Sequence, residues 1–280
     1  MEKNYRAQLL GVLGCPVDEN PTVVMQEAAF REDGLNWRYL NLLVKPNDLA
    51  DAFKGLRAMN FAGINLTVPH KVEALKYVDE VSEEVALIGA TNTIVNKNGR
   101  LVAYNTDGKG FVEGIRKRGV DLAGKRIALL GAGGAARAIC VECALAGAGE
   151  IILINRNIER GEGLASLINE KTECRASFIP WNGTAEIPRC DILINATSIG
   201  LYPDENCPDI NYDAITADMI VQDVIPNPAD TLFLRNARAR GATTFDGLSM
   251  LVYQGAIGYK LWTGREAPVA VMLAALEKEN

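Results

Sequence analysis

The stretch KRIALLGAGGAARAI, residues 125–139, decides how the rest of the chain reads. Arg126 to Leu130 is an apolar run of strand length, and Gly134 to Ala146 is an apolar run long enough for a helix. Between them lies Gly131-Ala132-Gly133-Gly134-Ala135-Ala136, a G-x-G-x-x-A turn. In such a turn the first glycine permits the sharp reversal and the second lets the backbone approach a pyrophosphate. A small third residue, here Ala136, allows close packing of helix on strand. The helix start then offers unbonded N–H groups and the positive end of its dipole to phosphate oxygens. A strand before and a helix after separate a dinucleotide site from a chance run of glycines. Residues 131–135 are therefore the expected phosphate cradle.

The tip of the following strand bears on which dinucleotide binds. A carboxylate there would accept the adenosine ribose 2′-hydroxyl and favour NAD, but the chain reads Asn155-Arg156-Asn157-Ile158-Glu159-Arg160. Arg156 at the tip, with Asn155 before it, and Arg160 one helical turn later are placed to pair with a 2′-phosphate. NADP is the expected cofactor.

Outward from this unit, β-branched runs alternate with amphipathic ones, the pattern of βα units on a sheet. Toward the N-terminus the expected strands are 7–12, 37–44 and 61–68, the helices 21–31, 46–59 and 69–78, with a hairpin of 91–95 and 101–104 about Asn98-Gly99. A helix over Asp107–Arg118 leads to a second series, with strands 126–130, 151–155, 177–179, 192–196, 219–224 and 243–245. Its helices are expected at 134–146, 157–169 and 230–240, and two more, 248–262 and 268–278, close the chain. The fold class is α/β with two domains, the second of Rossmann type, and the boundary falls near Asp107–Gly108.

Composition narrows the function. Of 280 residues, 48% are hydrophobic and 23% charged, which excludes disorder over most of the chain. The 35 acidic against 29 basic residues leave a net charge of −6, unlike a nucleic-acid binder. The longest apolar stretches, such as Val269–Leu276, are short of the roughly 18 residues a membrane span needs. The N-terminal MEKNYRAQLLGVLG is too short and mixed for a secretory signal, so a cytoplasmic location is expected. Six cysteines at 15, 140, 143, 174, 190 and 207 do not make a disulfide framework. Cys140 and Cys143 fall inside an apolar helical run and His70 is the single histidine, so no metal is expected.

Acid–base residues are then sought in the first region. Lys71 follows a strand in NLTVPHK (65–71), and Asp107 lies at a strand-to-helix junction in YNTDG (104–108). With GATNT (89–93), GAGGAARA (131–138), NRNIER (155–160), NATSIGL (195–201) and DGLSMLVYQGAIGYKLWTG (246–264), these segments make the chain resemble the shikimate/quinate dehydrogenase family over nearly its whole length.

The resemblance implies a mixed-sheet substrate domain over 1–107, an NADP-binding domain over 108–246, and C-terminal helices over 247–280 that pack back on the first domain. It implies reversible hydride transfer between NADP(H) and a ring hydroxyl or ketone of a hydroxylated cyclic acid. Lys71 and Asp107 match the pair beside the reacting carbon, where a lysine near a carboxylate can pass on the hydroxyl proton. Thr67, Asn92 and Gln254 match positions that hold substrate hydroxyls; Thr197, Val224 and Gly247 match positions at the nicotinamide end. The slot of His70 holds varied residues in the family, which argues against a catalytic role. A small-molecule substrate and a monomer or homodimer are expected, with no membrane or nucleic-acid partner.

Departures cluster at the substrate carboxylate. Where the family carries a Ser-x-Ser pair, this chain has Asn20 and Thr22; both still donate, but Asn20 is longer. Where the family usually has a tyrosine, it has Pro226, which has no donor. The chemistry-bearing lysine and aspartate are kept, so shikimate or a related hydroxylated cyclic acid is the expected substrate of an active enzyme, with shikimate itself a poor one unless the three changes compensate one another. The competing reading is a non-catalytic NADP(H)-binding sensor on the same fold; a folate-type dehydrogenase fits the glycine loop but not the first-region motifs.

Overall fold

From Leu10 to Gly14 every residue of the first strand, β1 (Gln8–Gly14), is buried, as a central strand covered on both faces requires. The computed structural model describes residues 5–278. Strand β1 pairs in parallel with β2 (Trp37–Leu43) and β3 (Gly63–Leu66), with α1 (Thr22–Glu32) and α2 (Leu49–Ala58) as the crossover helices. Then follow α3 (His70–Glu73), β4 (Glu80–Val81), α4 (Glu83–Ile88) and a hairpin of β5 (Thr93–Lys97) and β6 (Arg100–Tyr104). The hairpin turns where expected: Asn98 and Gly99 have φ of 54° and 91°, the left-handed pair a two-residue turn needs. Antiparallel β3–β5 and β5–β6 pairs make the sheet mixed, in the order β2-β1-β3-β5-β6-β4.

One expectation in this half fails. The helix foreseen over residues 69–78 is four residues of α3 followed by a 3₁₀ turn, Ala74–Tyr77. Tertiary backbone bonds compete with a longer helix: Thr91 N–H donates to the Lys71 carbonyl (2.8 Å) and Asp79 N–H to that of Leu101 (2.9 Å). Strand β4 was not foreseen, being two exposed residues, too short to show periodicity.

The second series runs α5 (Asp107–Lys117), β7 (Arg126–Leu130), α6 (Gly134–Leu145), β8 (Glu150–Asn155), α7 (Ile158–Lys171), β9 (Arg175–Pro180), β10 (Ile192–Asn195), β11 (Ile220–Asp223), α8 (Leu232–Ala239) and β12 (Thr243–Phe245). Every pairing is parallel, in the order β12-β11-β10-β7-β8-β9. Read from β9, this is the doubly wound order, whose switch point lies between β7 and β10. Helix α5 crosses α6 so closely that a Cβ on Gly108 would lie 2.2 Å from the Ala138 carbonyl oxygen, which accounts for the glycine after Asp107.

Two compact units result, Asp107–Leu251 and the remainder. Helix α9 (Leu248–Thr263) passes from the second to the first at Val252, and α10 (Val269–Glu277) packs on α1. Helix α9 also lies against α1: Gln26 Nε2 donates to the Gly255 carbonyl (2.9 Å), and Phe30 stacks on Tyr259 with centroids 5.6 Å apart. The closing helices thus belong to the first unit, as the resemblance implies.

Candidate active site

In the nucleotide unit, the Gly131 turn adopts φ +109°, which only glycine takes without strain. A Cβ there would stand 3.0 Å from the Ala196 carbonyl oxygen, so the loops after β7 and β10 meet at the switch point. Gly133 and Gly134 have open space where a Cβ would be, and Ala136 is fully buried beneath them. No side chain caps α6, which leaves its first N–H groups to a ligand. Backbone N–H groups around an open pocket, with a helix N-terminus behind, suit a pyrophosphate; Ala132 and Ala135, half-buried, complete the loop.

At the tip of β8, Asn155 Nδ2 donates to the Asn157 carbonyl (2.8 Å), and Asn157 caps α7 by accepting from Arg160 N–H (2.8 Å). Arg156 and Arg160 are exposed and, among the described residues, neither forms an ion pair. A cavity of about 410 Å³ is lined by Arg137, Asn157, Glu159, Arg160 and Gly163. Arg137, a half-buried cation that the sequence reading passed over within GAGGAARA, therefore joins Arg160 there. Two guanidinium groups at one cavity fit a 2′-phosphate.

Thr197, Val224 and Gly247 are brought together by a buried carboxylate. Asp223, fully buried, accepts from Thr231 Oγ1 (2.7 Å), Asn195 Nδ2 (3.1 Å) and Ile225 N–H (3.2 Å). Asn195 Oδ1 in turn accepts from Thr197 Oγ1 (2.7 Å), and its carbonyl from Val224 N–H (3.1 Å). Desolvation pushes the Asp223 carboxyl up to about 6, against the lowering effect of its donors. Gly247 presses on this loop: a Cβ would lie 2.5 Å from the Ile225 backbone.

In the first unit, Asn92 is the hub of a buried polar cluster. Its Nδ2 donates to Thr106 Oγ1 (2.9 Å) and to Gln254 Oε1 (3.3 Å), while its Oδ1 accepts from Thr106 N–H (2.8 Å) and Thr93 Oγ1 (3.1 Å). Asn65 extends it, donating to Thr93 Oγ1 (2.9 Å) and accepting from Tyr39 Oη (2.6 Å). Asn92 and Gln254, far apart in sequence, thus share one arrangement. Thr106, Thr93 and Asn65 are the members that sequence reasoning missed, although all three stand in or beside the quoted motifs.

Lys71 is half-buried on α3, and Thr67 is half-buried just after β3, its N–H donating to the Leu13 carbonyl (3.0 Å). Asp107, buried, is the first residue of α5 and opens the second unit. Asn20 Oδ1 accepts from Thr22 N–H (3.0 Å), and the Asn20 carbonyl accepts from Asn41 Nδ2 (3.0 Å). His70 is buried with Nε2 against the Val44 carbonyl (2.8 Å). Cys140 and Cys143 are buried in α6, and desolvation holds both thiols well above their ordinary range. No metal-binding cluster and no helix able to cross a membrane occur among the described residues.

Comparison with known proteins places this geometry. Family models match the shikimate dehydrogenase substrate binding domain over residues 12–94, shikimate/quinate 5-dehydrogenase over 114–202 and the shikimate 5′-dehydrogenase C-terminal domain over 247–277. A shikimate dehydrogenase (NADP(+)) of Desulforamulus reducens is 43% identical over 99% of this chain and 97% of its own. The chain belongs to the shikimate/quinate dehydrogenase family. It is an NADP-dependent oxidoreductase of that family. Among solved structures, the Thermus thermophilus shikimate 5-dehydrogenase with NADP(H) and shikimate superposes at TM-score 0.87, 32% identical over 98% of this chain and all of that one. A 5-ketofructose reductase of Gluconobacter sp. superposes at TM-score 0.93, 47% identical over 99% of this chain and all of that one. One fold therefore serves relatives named for a ring acid and a relative named for a neutral keto sugar.

Proposed function

We propose that this dehydrogenase reduces a neutral polyhydroxylated ketone of the 5-ketofructose kind, and that ring acids such as shikimate are poor substrates. The observation that carries this reading is the change at all three positions that, by the resemblance, match the substrate-carboxylate ligands, with the donor lost outright at Pro226. Asn20 turns its Oδ1 to Thr22 N–H at 3.0 Å, Thr22 is buried at the start of α1, and Pro226 has no donor. Lys71, Asp107 and the glycine loop are kept. A substrate without a carboxylate does not need the donor missing at Pro226. Similarity to the Gluconobacter reductase supports the same class of substrate.

When bound against residues 131–135, Arg156 and Arg160, NADPH would supply a hydride for the carbonyl carbon. Lys71 is the side chain we assign to donate the proton that the carbonyl oxygen gains, and Asp107 is the carboxylate that shares this proton-transfer task. Asn92 and Gln254, rigid in their shared cluster, hold substrate hydroxyls. Thr67, half-buried after β3, adds a hydroxyl to the same task. In the reverse direction the same lysine, neutral, accepts the hydroxyl proton.

The test is to restore the family pattern with Asn20→Ser, Thr22→Ser and Pro226→Tyr. Each regained bond to a charged carboxylate is worth about 1.5–3 kcal/mol, so the KM for shikimate should fall at least about tenfold while kcat changes little. An unmodified enzyme with a shikimate KM of about 10–100 µM, well inside the usual range, would contradict the reading.

A further inference from the structure

Arg156 has a partner that is not an acid. Its guanidinium carbon lies 5.2 Å from the centroid of the Trp181 ring. A stacked guanidinium interacts through its face and keeps its rim of N–H donors for other acceptors, whereas a carboxylate partner would occupy that rim. The ring itself is held at both ends. Trp181 N–H donates to the Asn155 carbonyl (2.9 Å), tying the segment after β9 to the tip of β8, and the indole Nε1 donates to the Asp209 carbonyl (3.1 Å). Only 5% of Trp181 is exposed, so the indole is a fixed plate against the Arg156 guanidinium.

We propose that Trp181 is a positioning residue for cofactor selection: it holds Arg156 over the tip of β8 with its donors free for the adenosine 2′-phosphate, and so favours NADP(H) over NAD(H). The physical gain is entropic. A long exposed arginine loses rotamer freedom when it pairs with a phosphate, and a cation already resting on a ring has lost part of that freedom beforehand. The effect acts only on a ligand that carries the 2′-phosphate. The inference rests on the assignment of Arg156 to that phosphate.

The test is the ratio of NADH to NADPH dissociation constants, read by quenching of protein fluorescence and by calorimetry, without turnover. Trp181→Tyr, Trp181→Phe and Trp181→Leu weaken the ring's attraction for a cation in that order while keeping an apolar side chain in the core. NADPH affinity should fall along the series, by about threefold at Trp181→Leu, while NADH affinity stays constant and reports that the nucleotide unit is folded. In an Arg156→Ala background the Trp181 substitutions should have no further effect on the ratio. Should Trp181→Leu fail to fold, the tyrosine and phenylalanine variants with their Arg156→Ala partners still complete the cycle. A ratio unchanged along the series in an enzyme that prefers NADPH would overturn the role of Trp181. Equal losses for both cofactors would overturn it as well, showing a purely structural ring. A wild-type enzyme with no preference, or an Arg156→Ala variant that keeps it, would instead remove the Arg156 assignment beneath it.

Discussion

The two units prepare their ligand surfaces from different materials. The nucleotide unit presents backbone: Gly131 in a left-handed turn, open space above Gly133 and Gly134, and an uncapped α6. The substrate unit presents side chains locked into one another, with Asn92, Thr106 and Gln254 in a buried cluster. A backbone surface tolerates change around it and binds a ligand part common to many enzymes. A side-chain surface can exchange one ligand for another by a few substitutions, and the departures at Asn20, Thr22 and Pro226 are the basis of the substrate change proposed above. A family can therefore keep its cofactor and its proton-transfer pair while its substrate changes.

The contrast breaks first, and most strongly, at the two residues proposed to move the proton. Lys71→Ala and Asp107→Ala should each lower kcat by about 10²–10⁴, with NADPH affinity nearly unchanged in titration. If either variant loses cofactor binding to the same degree as kcat, the division of labour is wrong. Next comes the backbone surface. Gly133→Ala meets no atom within 4 Å in the free protein, so its melting temperature should match wild type. The methyl group should nonetheless obstruct the close approach of the pyrophosphate, and loss of one charged hydrogen bond corresponds to about tenfold or more in NADPH affinity.

The side-chain surface should respond in the opposite way. Thr106→Val leaves Asn92 Nδ2 without one of its acceptors inside a buried cluster, at a cost of about 1–3 kcal/mol in denaturant unfolding of the first unit. KM for the substrate should rise with it, and NADPH affinity should not. A smaller effect belongs to Asp223. Its carboxyl titrates near 6 when folded and near 3.8 in an open chain, so the folded protein holds a proton that the unfolded chain has released. This stabilising contribution is present below about pH 4 and is lost as pH rises toward 6. Unfolding free energy of wild type should therefore fall across that window more than that of Asp223→Asn, by a difference on the order of 3 kcal/mol. Parallel pH profiles for the two proteins would show that burial of Asp223 carries no such penalty.

How much of this was legible in the sequence follows the same division. The glycine turn between β7 and α6 could be read because its glycines, strand and helix are neighbours along the chain, and each residue type has one geometric reason to be there. The parallel sheet of the second unit followed from the same alternation. The Asn92 cluster could not be derived from spacing, because Gln254 is 162 residues from Asn92 and only folding brings them together. Resemblance named Asn92 and Gln254 but gave no hint that Thr106 joins them. Trp181 was invisible for a related reason: a tryptophan after a strand reads as core, and only its place beneath Arg156 gives it more. Helix α3 was overextended because local periodicity carries no record of the backbone bonds that Lys71 and Asp79 make to distant partners.

The most direct measurement of the central claim is kcat/KM, with NADPH, for 5-ketofructose and for 3-dehydroshikimate, the ketone of shikimate, on the same enzyme. Absence of the one charged hydrogen bond to a carboxylate that Pro226 cannot donate, worth about 1.5–3 kcal/mol, predicts a ratio of at least about tenfold in favour of the keto sugar. A ratio of one or below, with efficient turnover of the ring acid, would contradict the account.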